Sequence, residues 1–157
     1  MSKGKRETVS DWLMTLSAPL LLGSLFLTWS HQFSRSFLAR WGTTSVLQGI
    51  PHDPNAWQVY SAADVLLVLV AGGLLAVALW GGRIRRLMLV LALMIALAFT
   101  VHALGTPPTD GAVVFEPSLN PPAYAPNAPR SGVGEDVALL ALLLGIGGVA
   151  LSFTVDP

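Results

Sequence analysis

Residues 65 to 104 run VLLVLVAGGLLAVALWGGRIRRLMLVLALMIALAFTVHAL, two uncharged apolar stretches parted only by Arg83, Arg85 and Arg86. A helix needs about 17 to 25 mostly apolar residues to cross a hydrocarbon core of ~30 Å, and Val65–Gly82 and Leu87–Leu104 each satisfy that length. The segment therefore reads as two antiparallel membrane-spanning helices joined by a tight basic turn. Composition agrees, since 53% of the 157 residues are hydrophobic and only 11% charged, which is not the balance of a water-soluble domain.

Outward from this pair, Trp12–Ser30 and Val137–Val155 are uncharged stretches of the same kind. The expected fold is an all-α membrane protein, a four-transmembrane-helix bundle in a single integral membrane domain over residues 1–157. Its spans fall at about 12–30, 63–82, 87–104 and 136–155, with two extended extracytoplasmic loops at 31–62 and 105–135. Lys3, Lys5, Arg6, Arg83, Arg85 and Arg86 share one side of this arrangement. Only Arg35, Arg40 and Arg130 lie on the other, with Asp53, Asp64, Asp110, Glu116, Glu135 and Asp136. Basic residues accumulate on the cytoplasmic side, so both termini are expected in the cytoplasm of a multi-pass cell-membrane protein. The basic N-terminus before an apolar run resembles a secretory signal. However, Leu27-Thr28-Trp29-Ser30-His31 offers no small-x-small cleavage site, and the run is read as an uncleaved first span.

Local signals fit the same boundaries. Ser61-Ala62-Ala63-Asp64 has the form of a capping box at the start of the second span, and Glu135 and Asp136 open the fourth. Carboxylates there meet the positive ends of helix dipoles, a structural role that needs no ligand. Gly72 with Ala76, and Ala141 with Gly145, form small-xxx-small pairs, and Gly147 and Gly148 add a smooth patch for close helix approach. Pro19 is expected to kink the first span.

The two outer loops differ. In the first, Phe33, Phe37 and Trp41 recur every four residues with Arg35 and Arg40 between them. This pattern suits either a short helix at headgroup level or an aromatic cap on the bundle. Ile50-Pro51-His52-Asp53-Pro54-Asn55 reads as a turn. Trp12, Trp29, Trp57 and Trp80 lie near span ends, as interfacial anchors do. The second loop carries Pro107, Pro108, Pro117, Pro121, Pro122, Pro126 and Pro129, which exclude a regular helix. Val113, Val114 and Phe115 are its apolar run, expected to pack on the bundle. Tyr124 lies in a proline-rich stretch of the kind that recognition modules bind, although a solvated tether has the same composition.

The absence of cysteine removes disulfides, thiolate metal sites and covalently attached haem. His31, His52 and His102 all fall on the outer side and are the candidate metal ligands, but none belongs to a His-x-x-x-His or Glu-x-x-His pair. No phosphate loop, nucleophile elbow or carboxylate pair of hydrolase type occurs, and no ionisable group sits at mid-span, where proton-coupled transporters keep theirs. The expectation is a non-enzymatic accessory, assembly or scaffold subunit without a cofactor. Its partners would be the lipid bilayer and another membrane protein or its own copies, and nothing in the charge pattern suggests nucleic acid. The alternative is a binder of a small apolar ligand, lipid or quinone at the outer end, using Trp29, Trp57, Tyr60 and His102.

Leu25-Phe26-Leu27-Thr28-Trp29 and Trp57-Gln58-Val59-Tyr60-Ser61-Ala62-Ala63-Asp64-Val65-Leu66 resemble a group of small, uncharacterised four-transmembrane-helix proteins of actinobacteria. Its members commonly read Phe-Leu-Pro-Trp at the first place and Trp-x-x-Phe/Tyr-Ser-x-x-Asp-Val-Leu at the second. Thr28 stands where the proline is usual. The resemblance covers about half of the chain and implies the four-span topology without an activity.

Overall fold

A computed structural model describes residues 3–33, 35, 38–39, 52–80, 82–106 and 127–154. The described chain is mostly helical: α1 spans Lys3–Ser24, α2 Ala56–Val59, α3 Ser61–Trp80, α4 Arg83–Gly105 and α5 Val133–Phe153. Two short strands, β1 at Ser30–Phe33 and β2 at Asn127–Ser131, were not expected from the sequence. The run Val113 to Phe115, Tyr124, Phe37, Arg40 and Trp41 lie outside the described residues.

By length and composition, α4 and α5 are apolar enough to cross a membrane, and the apolar part of α3, Asp64–Trp80, is shorter. The first helix departs most from expectation. It starts at Lys3 and ends at Ser24, where the sequence suggested a span of 12–30. Beyond Ser24 the backbone tightens into i→i−3 bonds, Leu25 N to Leu22 O, Phe26 N to Gly23 O and Leu27 N to Ser24 O, before extending into β1. Pro19 stays inside the helix. Arg83, Arg85 and Arg86 also shift role, forming the first turn of α4 rather than a loop. The reversal falls on Gly82, whose φ of 105° suits glycine. Arg86 Nη1 donates to the Ser152 carbonyl at 3.3 Å, placing a cation at the negative end of α5.

The dominant contacts run α1 to α5, α1 to α3, α4 to α5 and α3 to α4, a ring in which α1 opposes α4 and α3 opposes α5. Met14, Leu21, Leu25, Leu67, Leu74, Leu93 and Leu142 fill its centre. Along the α1–α5 contact the helices are antiparallel and the pairing repeats every seven residues. Ser10 Oγ donates to Gly148 O at 2.8 Å and Ser17 Oγ to Ala141 O at 2.7 Å, and one more repeat along Gly134 abuts the Ser24 carbonyl. Each serine uses a buried hydroxyl to bond a carbonyl of the opposite helix. Small residues on α5 admit this approach: a Cβ at Gly148 would lie 2.9 Å from Met14 Cγ, and one at Gly145 2.9 Å from Ser17 Oγ.

Polar side chains are buried beside the apolar centre while large apolar ones lie on the outside. Ser10, Ser17, Ser24, Asp64, Thr100, Glu135 and Ser152 are buried, while Leu69, Leu79, Trp80, Ile84, Met88 and Leu91 are each more than 60% exposed.

At one end, β1 and β2 pair antiparallel, with Ser30 opposite Ser131, His31 opposite Arg130 and Phe33 opposite Asn127. Phe33 is thus a strand residue, 5% exposed, instead of part of an aromatic helical face. Its backbone finds ladder partners on β2 that a lone interfacial helix does not need.

Candidate functional site

Two separate segments, residues 54–55 and 132–134, converge at the sheet-bearing end on Thr28 and Trp29. Trp29 N donates to Pro54 O at 2.9 Å, Gly132 N to Trp29 O at 2.8 Å and Gly134 N to Thr28 O at 2.7 Å, and Thr28 also bridges Asn55. The indole is fully buried, its Nε1 donating to Ser24 O at 2.7 Å, so its polar atom is satisfied where α1 ends. A Cβ at Gly132 would collide with the Thr28 carbonyl, and one at Gly134 with the Trp29 indole. The glycines are required by close approach.

Around Trp29 the aromatic rings close on one another. Tyr60 meets Trp29 edge-on at 5.9 Å and Phe99 at 5.0 Å, and Trp29 and Phe99 are 6.4 Å apart. Of the four expected ligand-binding residues, Trp29 and Tyr60 are therefore brought together, with Phe99 as an unforeseen third. Trp57 instead faces Phe26 at 6.4 Å and is 41% exposed. His102 is exposed on α4 and has Thr106 Oγ1 3.3 Å from its Nε2. The four do not line one cavity, because α2 turns Trp57 away from the Trp29 cluster.

Asp64 and Glu135, from the first turns of the opposed helices α3 and α5, are both fully buried. None of their four carboxylate oxygens has a hydrogen-bond partner among the described residues. The capping box read at Ser61 and Asp64 is thus not completed by Asp64, whose own N–H bonds Tyr60 O at 3.3 Å while its carboxylate turns inward; nothing is described of the Ser61 side chain. A complete capping box occurs one element earlier. Asn55 Oδ1 accepts from Gln58 N at 3.1 Å and Gln58 Oε1 from Asn55 N at 3.0 Å, starting α2. Tyr60 lies near both acids: burial first, and then the charges of Glu135 and Asp64, push its hydroxyl up to about 12.

Beside the strands is a second feature, a cleft of about 310 Å³ lined by His31, Phe33, Arg35, Leu38, Asp53 and Arg130. His31 Nδ1 and Asp53 Oδ1 are 2.6 Å apart. His52 packs its ring edge-on against Phe33 at 5.8 Å. The three histidines read as metal candidates are distributed over this cleft, its flank and α4. Among the described residues no three His, Asp or Glu side chains form a group able to hold a metal ion.

The end thus offers two distinct chemistries: buried carboxylates that no donor answers among the described residues, and guanidinium groups beside an apolar wall. Asn55-x-x-Gln58 has the spacing of a capping box in the sequence itself. The convergence of Arg35 and Arg130 had no sequence signal, because it depends on the β1–β2 register. Comparison of the chain with protein-family models, curated proteins and solved structures gave no match.

Proposed function

We propose that this chain is a four-span integral membrane protein of the cell membrane with both ends in the cytoplasm. Its role on this reading is non-catalytic, an accessory or assembly subunit that presents a stiff extracytoplasmic surface to a membrane partner or to its own copies. The apolar outer surface supports the membrane part. Serines and acids are buried while large apolar side chains cover the outside, an arrangement that costs free energy in water and suits hydrocarbon. The basic residues at 3–6 and 83–86 support the orientation, as does the resemblance to small four-span actinobacterial proteins.

The observation that carries the accessory role is the stitching at Thr28 and Trp29, where pieces of both inter-helix connections are hydrogen-bonded to the end of the first helix. Ordered backbone of this kind holds a surface ready for docking with little entropy left to lose. A binder of an apolar ligand among the Trp29, Tyr60 and Phe99 rings is disfavoured by the closed contacts of those rings. Reporter fusions at residue 1, at the reversal around Gly82 and at residue 157 are expected to report cytoplasm, and one near Asn120 outside. Native mass measurement after purification in mild detergent is expected to show a copurifying protein or a defined oligomer. A cytoplasmic signal at Asn120 overturns the topology, and a strictly monomeric chain without a companion overturns the accessory role.

A further inference from the structure

We propose that the cleft beside β1 and β2 binds the phosphate of an anionic phospholipid headgroup, clasped between the guanidinium groups of Arg35 and Arg130. These residues lie far apart in sequence and reach one cleft because His31 on β1 pairs with Arg130 on β2. Two of the three basic residues expected outside the membrane therefore converge at a single place. Asp53 is the carboxylate among the described lining residues, its Oδ1 lies 2.6 Å from His31 Nδ1, and it forms no ion pair with either arginine among the described residues. Neither the Arg35 nor the Arg130 guanidinium has an ion pair or hydrogen bond among the described residues. Both side chains are exposed and within reach of an anion arriving at the surface.

Guanidinium presents a planar fork of N–H donors that matches phosphate oxygens two at a time, so a pair of forks suits a phosphodiester better than a point charge does. Phe33 and Leu38 supply the apolar part of the lining. A bare ion gains nothing from such a wall, whereas a phosphate carrying a hydrocarbon chain buries part of that chain against it. The cleft volume, about 310 Å³, lies at the lower end of the ~300–1,000 Å³ of small-molecule sites and fits a headgroup rather than a whole lipid. The inference rests on the membrane reading above, which puts this end of the helices at headgroup level.

The test uses the full chain in an uncharged detergent, titrated with dioctanoyl phosphatidylglycerol, dioctanoyl phosphatidylcholine or inorganic phosphate and read by native mass. Phosphatidylglycerol is expected to bind at least about tenfold more tightly than phosphatidylcholine. Arg35→Gln and Arg130→Gln should each remove most of that preference, Arg130→Lys only part of it, and Arg85→Gln at the far end none. Equal binding of the two lipids, or an unchanged preference in the double glutamine variant, overturns the site. Inorganic phosphate competing as well as the lipid overturns the lipid assignment and makes free phosphate the ligand. Should the glutamine variants fail to fold, the unsubstituted chain decides: affinity falling with rising salt supports the guanidinium clasp, and salt-independent affinity rejects it. Binding in detergent is read without reference to sidedness, so its failure strikes this site alone, whereas a misplaced fusion reporter strikes the topology alone.

Discussion

The α1–α5 seam and the sheet-bearing end treat buried polar groups in opposite ways. Along the seam, Ser10 and Ser17 each give their proton to a carbonyl across the interface, so the helices are held by polar contacts that cost nothing to bury. At the start of α3 and α5, Asp64 and Glu135 are fully buried with no donor to any carboxylate oxygen among the described residues. The comparison separates polar groups kept for packing from polar groups kept at a cost. A hydroxyl at heptad spacing is explained by the helix it touches, whereas an unanswered carboxylate needs a reason outside its own packing.

The largest effect that sharpens this contrast is expected at the junction of the two regions. Gly134→Val drives a side chain into the Trp29 indole and the Ser24 carbonyl, and should lower stability by about 3 kcal/mol, measured by denaturant unfolding in detergent. Gly147→Val, on the same helix with open space around its Cα, should cost far less. Equal losses at the two positions would mean that the close approach at Gly134 is not what holds α5 to α1.

Next in size, Asp64→Asn and Glu135→Gln should each raise stability by about 1–2 kcal/mol, because an amide is cheaper to bury than an unanswered carboxylate. A loss from either substitution would show that the acids do have a stabilising partner, and the contrast with the seam would disappear.

A smaller loss, about 0.6–1 kcal/mol each, is expected from Ser10→Ala and Ser17→Ala. The two should add in a double variant, since they lie a heptad apart and share no acceptor. Ser24→Ala should cost less than either, since its hydroxyl bonds Leu21 O within its own helix.

The smallest effect concerns Tyr60. Its phenol, with the ordinary value of 10.0 pushed up to about 12, holds its proton longer in the folded chain than in the unfolded one. The folded state therefore binds more protons between those two values. The stability this contributes is whole below pH 10 and is lost as pH rises towards 12. Ultraviolet titration of a Tyr124→Phe background should show the late phenol, and Glu135→Gln should bring it earlier. A phenol ionising near pH 10 would place Tyr60 away from both burial and the acids.

Helices were legible where the pattern is long and one-sided. The apolar stretches at 65–82 and 87–104 need no partner to be recognised, and α3 and α4 fall within a few residues of them. The first helix departs from the apolar stretch because charged residues do not mark its boundary. Lys5, Arg6, Glu7 and Asp11 all lie within α1, which ends instead where Trp29 claims the Ser24 carbonyl. Gly134, 110 residues beyond Ser24, packs against both partners of that contact, and a side chain there would collide with them. The Ser10, Ser17 and Ser24 repeat was visible in the sequence, yet serine at heptad spacing acquires meaning only with Gly148, Ala141 and Gly134 opposite it. For the same reason Asp64 and Glu135 read as dipole partners: a helix N-terminus predicts an acid, and only the packing of the opposed helices shows that these two are buried.

The pairing of the first helix with the last also sets an order of assembly. The carbonyls that receive the hydroxyls of Ser10 and Ser17, and the amide groups that bond Thr28 and Trp29, belong to residues 132–148. At a synthesis rate of ~5–20 residues per second, α1 exists for roughly 5–20 s before its principal partner leaves the ribosome. Through that interval α3 is the neighbour available to hold it. A chain cut short before residue 132 keeps the bond from Trp29 to Pro54 but lacks the seam and the bonds from Gly132 and Gly134, so quality control that senses exposed polar groups on α1 would in effect be checking whether α5 has arrived.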